Sequence, residues 1–264
     1  MRTTTSRDGT RLAYDVRGSG PPLIQVTGAT GFRSFLPIVS DAKAFATAFT
    51  VHTYDRRGRG DSGDTLPWRV DREVDDIEAL IDAAGGTALV YGHSSGAVLA
   101  LEASLRLGRK VRKAMLYDIP YAHDATELAE FAELGQRVRR CLEQDRHAAA
   151  LTTFLRGIGM PRAFTSALPI VPGWRTMKAL APTLAHDIAL TSGLPPVERA
   201  AAVTVPTLVM VGQKSPAGLH AVARALSTAI PGAEHVELRG QGHLASAKAL
   251  LPVLTAFAAV PVRS

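Results

Sequence analysis

Thr87-Ala88-Leu89-Val90-Tyr91-Gly92-His93-Ser94-Ser95-Gly96 runs from an apolar stretch into a helical pattern through a turn with glycine on both sides. Residues 87–91 form a buried-strand candidate. Residues 95–107 read as a helix with apolar residues (Val98, Leu99, Leu101, Leu105) on all sides, so that helix is expected to be buried. A strand that turns this tightly into a helix leaves no room for side chains two positions before and two after the apex. Ser94 has Gly92 and Gly96 in those places, whereas Ser95 has His93 and Ala97. Ser94 is therefore the candidate for the exposed hydroxyl of a nucleophile elbow. The helix that follows offers its positive dipole end and the backbone N–H of Ser95, both suited to an oxyanion.

The same alternation continues outward from this turn. Residues 23–26, 49–54, 111–117, 206–211 and 233–238 are strand candidates, and residues 71–84 and 217–230 are helix candidates. Val74, Ile77, Leu80 and Ile81 give the first of these helices one apolar face, and Gly85-Gly86 ends it. A last helix is expected near residues 252–259, with Pro252 in its first turn. Strands alternating with helices predict an α/β fold, a mostly parallel sheet covered on both faces. Residues 121–199 break the rhythm: they are helical in pattern but interrupted by Gly157, Gly159, Pro161, Pro169, Pro172 and Pro182. They read as a helical cap inserted in a core made of residues 1–120 and 200–264. Apolar cap residues such as Phe131, Phe154, Phe164, Trp174 and Met177 suit either a cap core or an apolar pocket.

The composition fits an ordinary globular chain. Of 264 residues, 46% are hydrophobic and 20% charged, which excludes a disordered or coiled-coil protein. A single cysteine, Cys141, allows neither an internal disulfide nor a zinc cluster. The net charge of +6 is mostly dispersed. Its one concentration, Arg106, Arg109, Lys110, Arg112 and Lys113, sits at the end of the 95–107 helix, where cations are favoured. Aromatic residues do not interleave with it, so no nucleic-acid partner is expected. The polar first residues and the lack of a long apolar run predict a cytoplasmic protein with no membrane partner. A monomer and a homodimer are both compatible with the sequence. No P-loop or dinucleotide fingerprint is present, because Gly58-Arg59-Gly60 lacks the third glycine. No cofactor and no metal are expected.

With the elbow, two further motifs resemble those of the α/β-hydrolase superfamily over nearly the whole chain. Tyr54-Asp55-Arg56-Arg57-Gly58-Arg59-Gly60-Asp61-Ser62 is similar to the YDxRGxGxS turn of the small capped serine hydrolases, the esterase, lactonase and perhydrolase branch. Asp55 and Arg56 read there as structural residues. Gly240-Gln241-Gly242-His243 is similar to the turn that carries the family's triad histidine. Among the eight histidines, His243 alone stands in a glycine-flexed loop directly after a late strand. The resemblance implies Ser94 as nucleophile and His243 as its base, in the family's chain order. It also implies the α/β-hydrolase fold and a small-molecule substrate. His93, inside the elbow, reads by default as packing beside the site.

Two positions depart from the family pattern. Where relatives place the triad aspartate, in the turn after the strand at 206–211, this chain has Ser215. A serine cannot stabilise an imidazolium by charge. Asp118 closes the strand at 111–117, a place some relatives use for their acid. Two readings of it stand: it orients His243, or it caps the start of the insertion. The loop Thr27-Gly28-Ala29-Thr30-Gly31 has Thr27 where relatives usually carry histidine. Backbone donors do not depend on side-chain identity, so the N–H groups of Ala29 and Ser95 are the expected oxyanion pair. A serine nucleophile suits acyl transfer and argues against epoxide and haloalkane chemistry, which this fold performs with aspartate. The leading expectation is acyl-enzyme hydrolysis of an ester, lactone or thioester. The Ser215 departure keeps open a repurposed fold that catalyses cyclisation, elimination or acyl transfer, and a ligand-binding protein is the third alternative.

Overall fold

The strands with continuous apolar runs occupy the middle of the sheet. In the computed structural model, which describes residues 1–261, eight strands form one sheet. They are β1 (Arg2–Thr5), β2 (Arg11–Arg17), β3 (Pro22–Val26), β4 (Thr50–Tyr54), β5 (Ala88–His93), β6 (Val111–Tyr117), β7 (Thr207–Gly212) and β8 (Glu234–Leu238). The order across the sheet is β1-β2-β4-β3-β5-β6-β7-β8. From β4 to β8 every pairing is parallel, while β2 pairs antiparallel with β1 and β4. Strands β3, β5, β6 and β7 are buried almost throughout, as a sheet covered on both faces requires. The edge strands are polar: β1 reads Arg-Thr-Thr-Thr and β8 is mostly exposed, which suits strands with one unpaired side.

Eleven α-helices are described: α1 (Leu36–Phe45), α2 (Val70–Ala83), α3 (Ser95–Leu107), α4 (Ala125–Glu143), α5 (His147–Gly157), α6 (Arg162–Ala167), α7 (Trp174–Ala179), α8 (Leu184–Thr191), α9 (Val197–Ala200), α10 (Ala217–Ala229) and α11 (Ala247–Ala259). One core joins the sheet to α2, α3 and α10 through Val74, Ile77, Val98, Leu101, Val222 and Leu226. A second joins the opposite face to α1 and α11 through Phe45, Leu250, Leu254 and Phe257. Between β6 and β7 the chain forms only α4 to α9 and short 3₁₀ turns. Leu134, Val138, Leu151, Phe154, Met177 and Leu184 build a third core there, and it takes in Phe32 from the loop after β3. No described helix is long and apolar enough to cross a membrane.

The last helix departs from expectation. It starts at Ala247, where the Ser246 side chain accepts from Ala249 N–H as an N-cap, so Pro252 lies inside it. Pro252 and Lys248 are exposed. The carbonyl that Pro252 cannot serve is that of Lys248, so the lost helix bond falls on the exposed side of the helix, which softens the usual cost of an internal proline.

From β3 the chain moves to one side of the sheet, to β4, and then to the other, to β5. The crevice of such a sheet lies where these directions diverge, at the carboxyl ends of the two strands. Residues 27–31 and Ser94 meet at that point. The turn after β4 is built on internal charge. Arg57 is fully buried and donates to Asp76 at 2.7 and 2.8 Å and to Asp8 at 2.9 Å, which ties the turn to α2. Removing one member of such a pair leaves a buried, uncompensated charge. Asp76→Ala is expected to destabilise the protein by roughly 3 kcal/mol or more, read as a lowered urea midpoint with unchanged slope.

Candidate active site

The turn between β5 and α3 is as tight as the sequence demands. Ser94 has φ 55° and ψ −129°, and its N–H donates to Tyr117 O at 3.0 Å. A Cβ on Gly92 would collide with the backbone of Gly96 and Ala97, and one on Gly96 with the Val26 carbonyl. Close approach of three backbone segments therefore requires both glycines. Ser94 is partly exposed at the mouth of this turn, while Ser95 is buried.

Three side chains from three separate segments converge here. His243 Nε2 lies 3.2 Å from Ser94 Oγ, and His243 Nδ1 lies 3.1 Å from Asp118 Oδ2. Asp118 follows β6 directly, with φ 48°, and its N–H donates to Met210 O at 3.0 Å. Its Oδ1 accepts from Gly212 N–H at 2.9 Å and its Oδ2 from Ser215 Oγ at 2.6 Å. Ser215, the residue at the departed acid position, thus hydrogen-bonds the carboxylate that faces His243. Burial alone would raise the Asp118 carboxyl, but the hydrogen bonds from His243, Ser215 and Gly212 prevail and hold it below the usual range. It is ionised at neutral pH and can only accept. His243 must then carry its proton on Nδ1 and turn the Nε2 lone pair toward Ser94.

The loop carrying His243 is clamped at two consecutive carbonyls. Tyr117 Oη donates to Gly242 O at 2.5 Å, and His93 Nε2 donates to His243 O at 2.8 Å. His93 and Tyr117 are register partners on β5 and β6, and their rings stack at 5.7 Å. Each stands one residue before a member of the Ser94/Asp118 pair. His93, expected merely to pack, thus also makes a hydrogen bond. Tyr117 read only as the end of a buried strand, although its place beside Asp118 was the available signal. Burial, with the neighbouring His243, pushes His93 down to about 4, so it is neutral at pH 7.

The loop of residues 27–31 lies against the elbow. A Cβ on Gly28 would come within 2.9 Å of Ser94 Cβ and 3.4 Å of its Oγ. Among the described residues, the N–H groups of Ala29 and Ser95 donate to no other backbone group outside the regular elements. Asp55 accepts from the N–H groups of Arg33 at 2.7 Å and Asp61 at 3.0 Å, and Arg56 binds both oxygens of Glu73 at 2.6 and 2.8 Å. Both residues sit in the framework rather than at the reacting serine. Among the described residues no group of three His, Cys, Asp or Glu side chains could hold a metal.

This fold and the elbow geometry define an enzyme of the α/β-hydrolase type. Residues 26–253 match the family described as "Alpha/beta hydrolase family", and the chain belongs to it. A solved α/β hydrolase from Sphaerobacter thermophilus DSM 20745 is 39% identical, with a TM-score of 0.86 over 97% of this chain and 99% of that one. The enol-lactonase from Burkholderia xenovorans LB400 shares the fold at 21% identity, with a TM-score of 0.76 over 97% of this chain and 99% of that one. YraK of Bacillus subtilis, described as an uncharacterized hydrolase, is 31% identical over 162 residues, 55% of this chain and 59% of YraK itself.

Tyr117→Phe removes one clamp and leaves the Gly242 carbonyl without that donor; a loss of about 1 kcal/mol in stability is expected by chemical denaturation. For His93, a folded-state value below the unfolded 6.5 means that the unfolded chain binds more protons between about pH 6.5 and 4. Its contribution to stability is present above pH 6.5 and is lost as pH falls through that window. Melting temperature should fall less steeply over the same window in His93→Gln than in the wild type.

Proposed function

We propose that the protein is a serine hydrolase that cleaves a small to medium apolar ester, lactone or thioester through an acyl-enzyme. The observation that carries this reading is the unbroken hydrogen-bond line from Ser94 Oγ through His243 to Asp118. Ser94 Oγ attacks the substrate carbonyl carbon and its proton passes to His243 Nε2. The carbonyl oxygen becomes an oxyanion that accepts from the N–H groups of Ala29 and Ser95. As the tetrahedral adduct collapses, the bond to the leaving oxygen or sulfur breaks and His243 returns the proton to it. A water then gives a proton to His243 as it attacks the acyl carbon; when this second adduct collapses, the bond from that carbon to Ser94 Oγ breaks, His243 returns the proton to Oγ, and the acid leaves. Asp118 stabilises the imidazolium that forms in each half and stays ionised throughout.

Residues 121–199 act as the cap in this reading. Ala29 and Phe35, from the segment between β3 and α1, and Trp174 from the insertion pack against the third core, and we take this apolar surround to favour an apolar substrate. The Sphaerobacter structure and YraK, both above 30% identity, bear the word hydrolase in their descriptions. Because Ser215 serves the Asp118 carboxylate, its presence no longer argues for a non-hydrolytic reaction. We place the reaction in the cytoplasm, in a monomer or homodimer that needs no cofactor.

A fluorophosphonate probe should add once to the wild type, on Ser94, and not to Ser94→Ala. Asp118→Asn should lower ester turnover by a factor on the order of 10⁴. A folded wild type that takes no probe would overturn the reading.

A further inference from the structure

Asp187 comes from α8, far from Ser94 in sequence, and is 1% exposed. Its Oδ1 accepts from Ser95 Oγ at 2.7 Å and from Arg56 Nη1 at 2.8 Å, and its Oδ2 accepts from Arg59 Nη2 at 2.7 Å. Both guanidinium groups are themselves buried, and each turns a nitrogen toward the loop after β3. Arg59 Nη1 donates to Gly28 O at 2.7 Å and to Gly31 O at 3.3 Å, and Arg56 Nη1 donates to Thr27 O at 3.4 Å. Glu73 balances the remaining charge by gripping the far side of Arg56.

Burying four charges costs several kcal/mol for each ion and recovers it only with close geometry. Stability alone is a weak reason for such a cluster, and its location supplies a stronger one. The Gly28 carbonyl and the Ala29 N–H belong to one planar peptide unit. A guanidinium that holds the carbonyl fixes the rotation of that plane, and hence the direction in which the N–H points. The charge on the carbonyl also polarises the peptide and strengthens the donor at its other end. Ser95 is anchored through its side chain, while its N–H stays available at the start of α3.

We propose that Asp187 is a positioning residue for the oxyanion site, setting both of its N–H donors at once. It reaches Ala29 through Arg59 and the Gly28–Ala29 peptide, and it holds Ser95 directly through the hydroxyl. The oxyanion site is therefore completed by the segment between β6 and β7, and displacing α8 would release both donors together. This inference rests on the reading of Ser94 as nucleophile.

The test compares Ser95→Ala and Asp187→Asn with the wild type in the full chain. Turnover of p-nitrophenyl butyrate gives kcat and KM, and the fluorophosphonate probe, whose P=O oxygen uses the same donors, gives the labelling rate of Ser94. Ser95→Ala should lower kcat about 10-fold and Asp187→Asn about 100-fold, against the 10²–10³ expected for complete loss of one donor. KM should stay within about twofold, because binding before attack does not use the oxyanion donors. Labelling should slow in parallel, at temperatures well below each variant's Tm. If Asp187→Asn does not fold, Ser95→Ala decides alone, since it deletes one hydroxyl and leaves the Asp187–arginine contacts in place. Wild-type labelling with folded variants that react at the wild-type rate, or that change only KM, would overturn the positioning role and leave the serine reading intact. A wild type that takes no probe at Ser94 would overturn both.

Discussion

The site depends on one backbone constraint, the positive φ of Ser94 at the end of β5. A non-glycine residue held at φ 55° and ψ −129° costs on the order of 1–3 kcal/mol and persists only where its surroundings over-determine it. Here they do. Gly92 and Gly96 let β5, α3 and the end of β3 approach more closely than any side chain permits, and the Ser94 N–H is tied to Tyr117 O. Asp118 repeats the device one strand away, with φ 48°. His93 and Tyr117 are register partners, so the residues that follow them leave adjacent strands side by side. Two strained strand ends thus deliver a hydroxyl and a carboxylate over the same edge of the sheet, with His243 between them.

Electrostatics then sets what these groups can do. A carboxylate as buried as Asp118 would drift toward its neutral form, which could not hold an imidazolium. His243, Ser215 and the Gly212 N–H supply the hydrogen bonds that keep it charged. The turn after β7 therefore reaches the Asp118 carboxylate by hydrogen bond. A second buried carboxylate, Asp187, accepts from Arg56, Arg59 and Ser95 beside the loop after β3, as Asp118 sits 3.1 Å from His243 Nδ1.

Much of this was legible in the sequence wherever burial follows a one-dimensional pattern. The apolar runs marked β3 to β7 within a residue or two, and the all-round apolar pattern of residues 95–107 marked the buried α3. Ser94, His243 and Asp118, singled out by context, lie within hydrogen-bond distance in sequence-remote pairs. The first strand, β1, escaped because Arg-Thr-Thr-Thr carries no apolar alternation; an edge strand draws its order from pairing. Pro252 misled because an N-cap at Ser246 outweighed a proline that solvent can accommodate. Asp187 and Arg59 were hidden for a deeper reason. Charged residues read as surface, and only the partners brought in from three distant segments make their burial affordable.

A covalent acyl intermediate on Ser94 is the step on which the proposed chemistry turns, and it can be trapped directly. The protein would be mixed with p-nitrophenyl acetate, quenched in acid within the first turnover, and read by intact mass and peptide mapping. A burst of p-nitrophenol matching the enzyme concentration is expected, with one acetyl group on the peptide that carries Ser94. Steady ester turnover with no burst, and with no acetyl on that peptide, would contradict it.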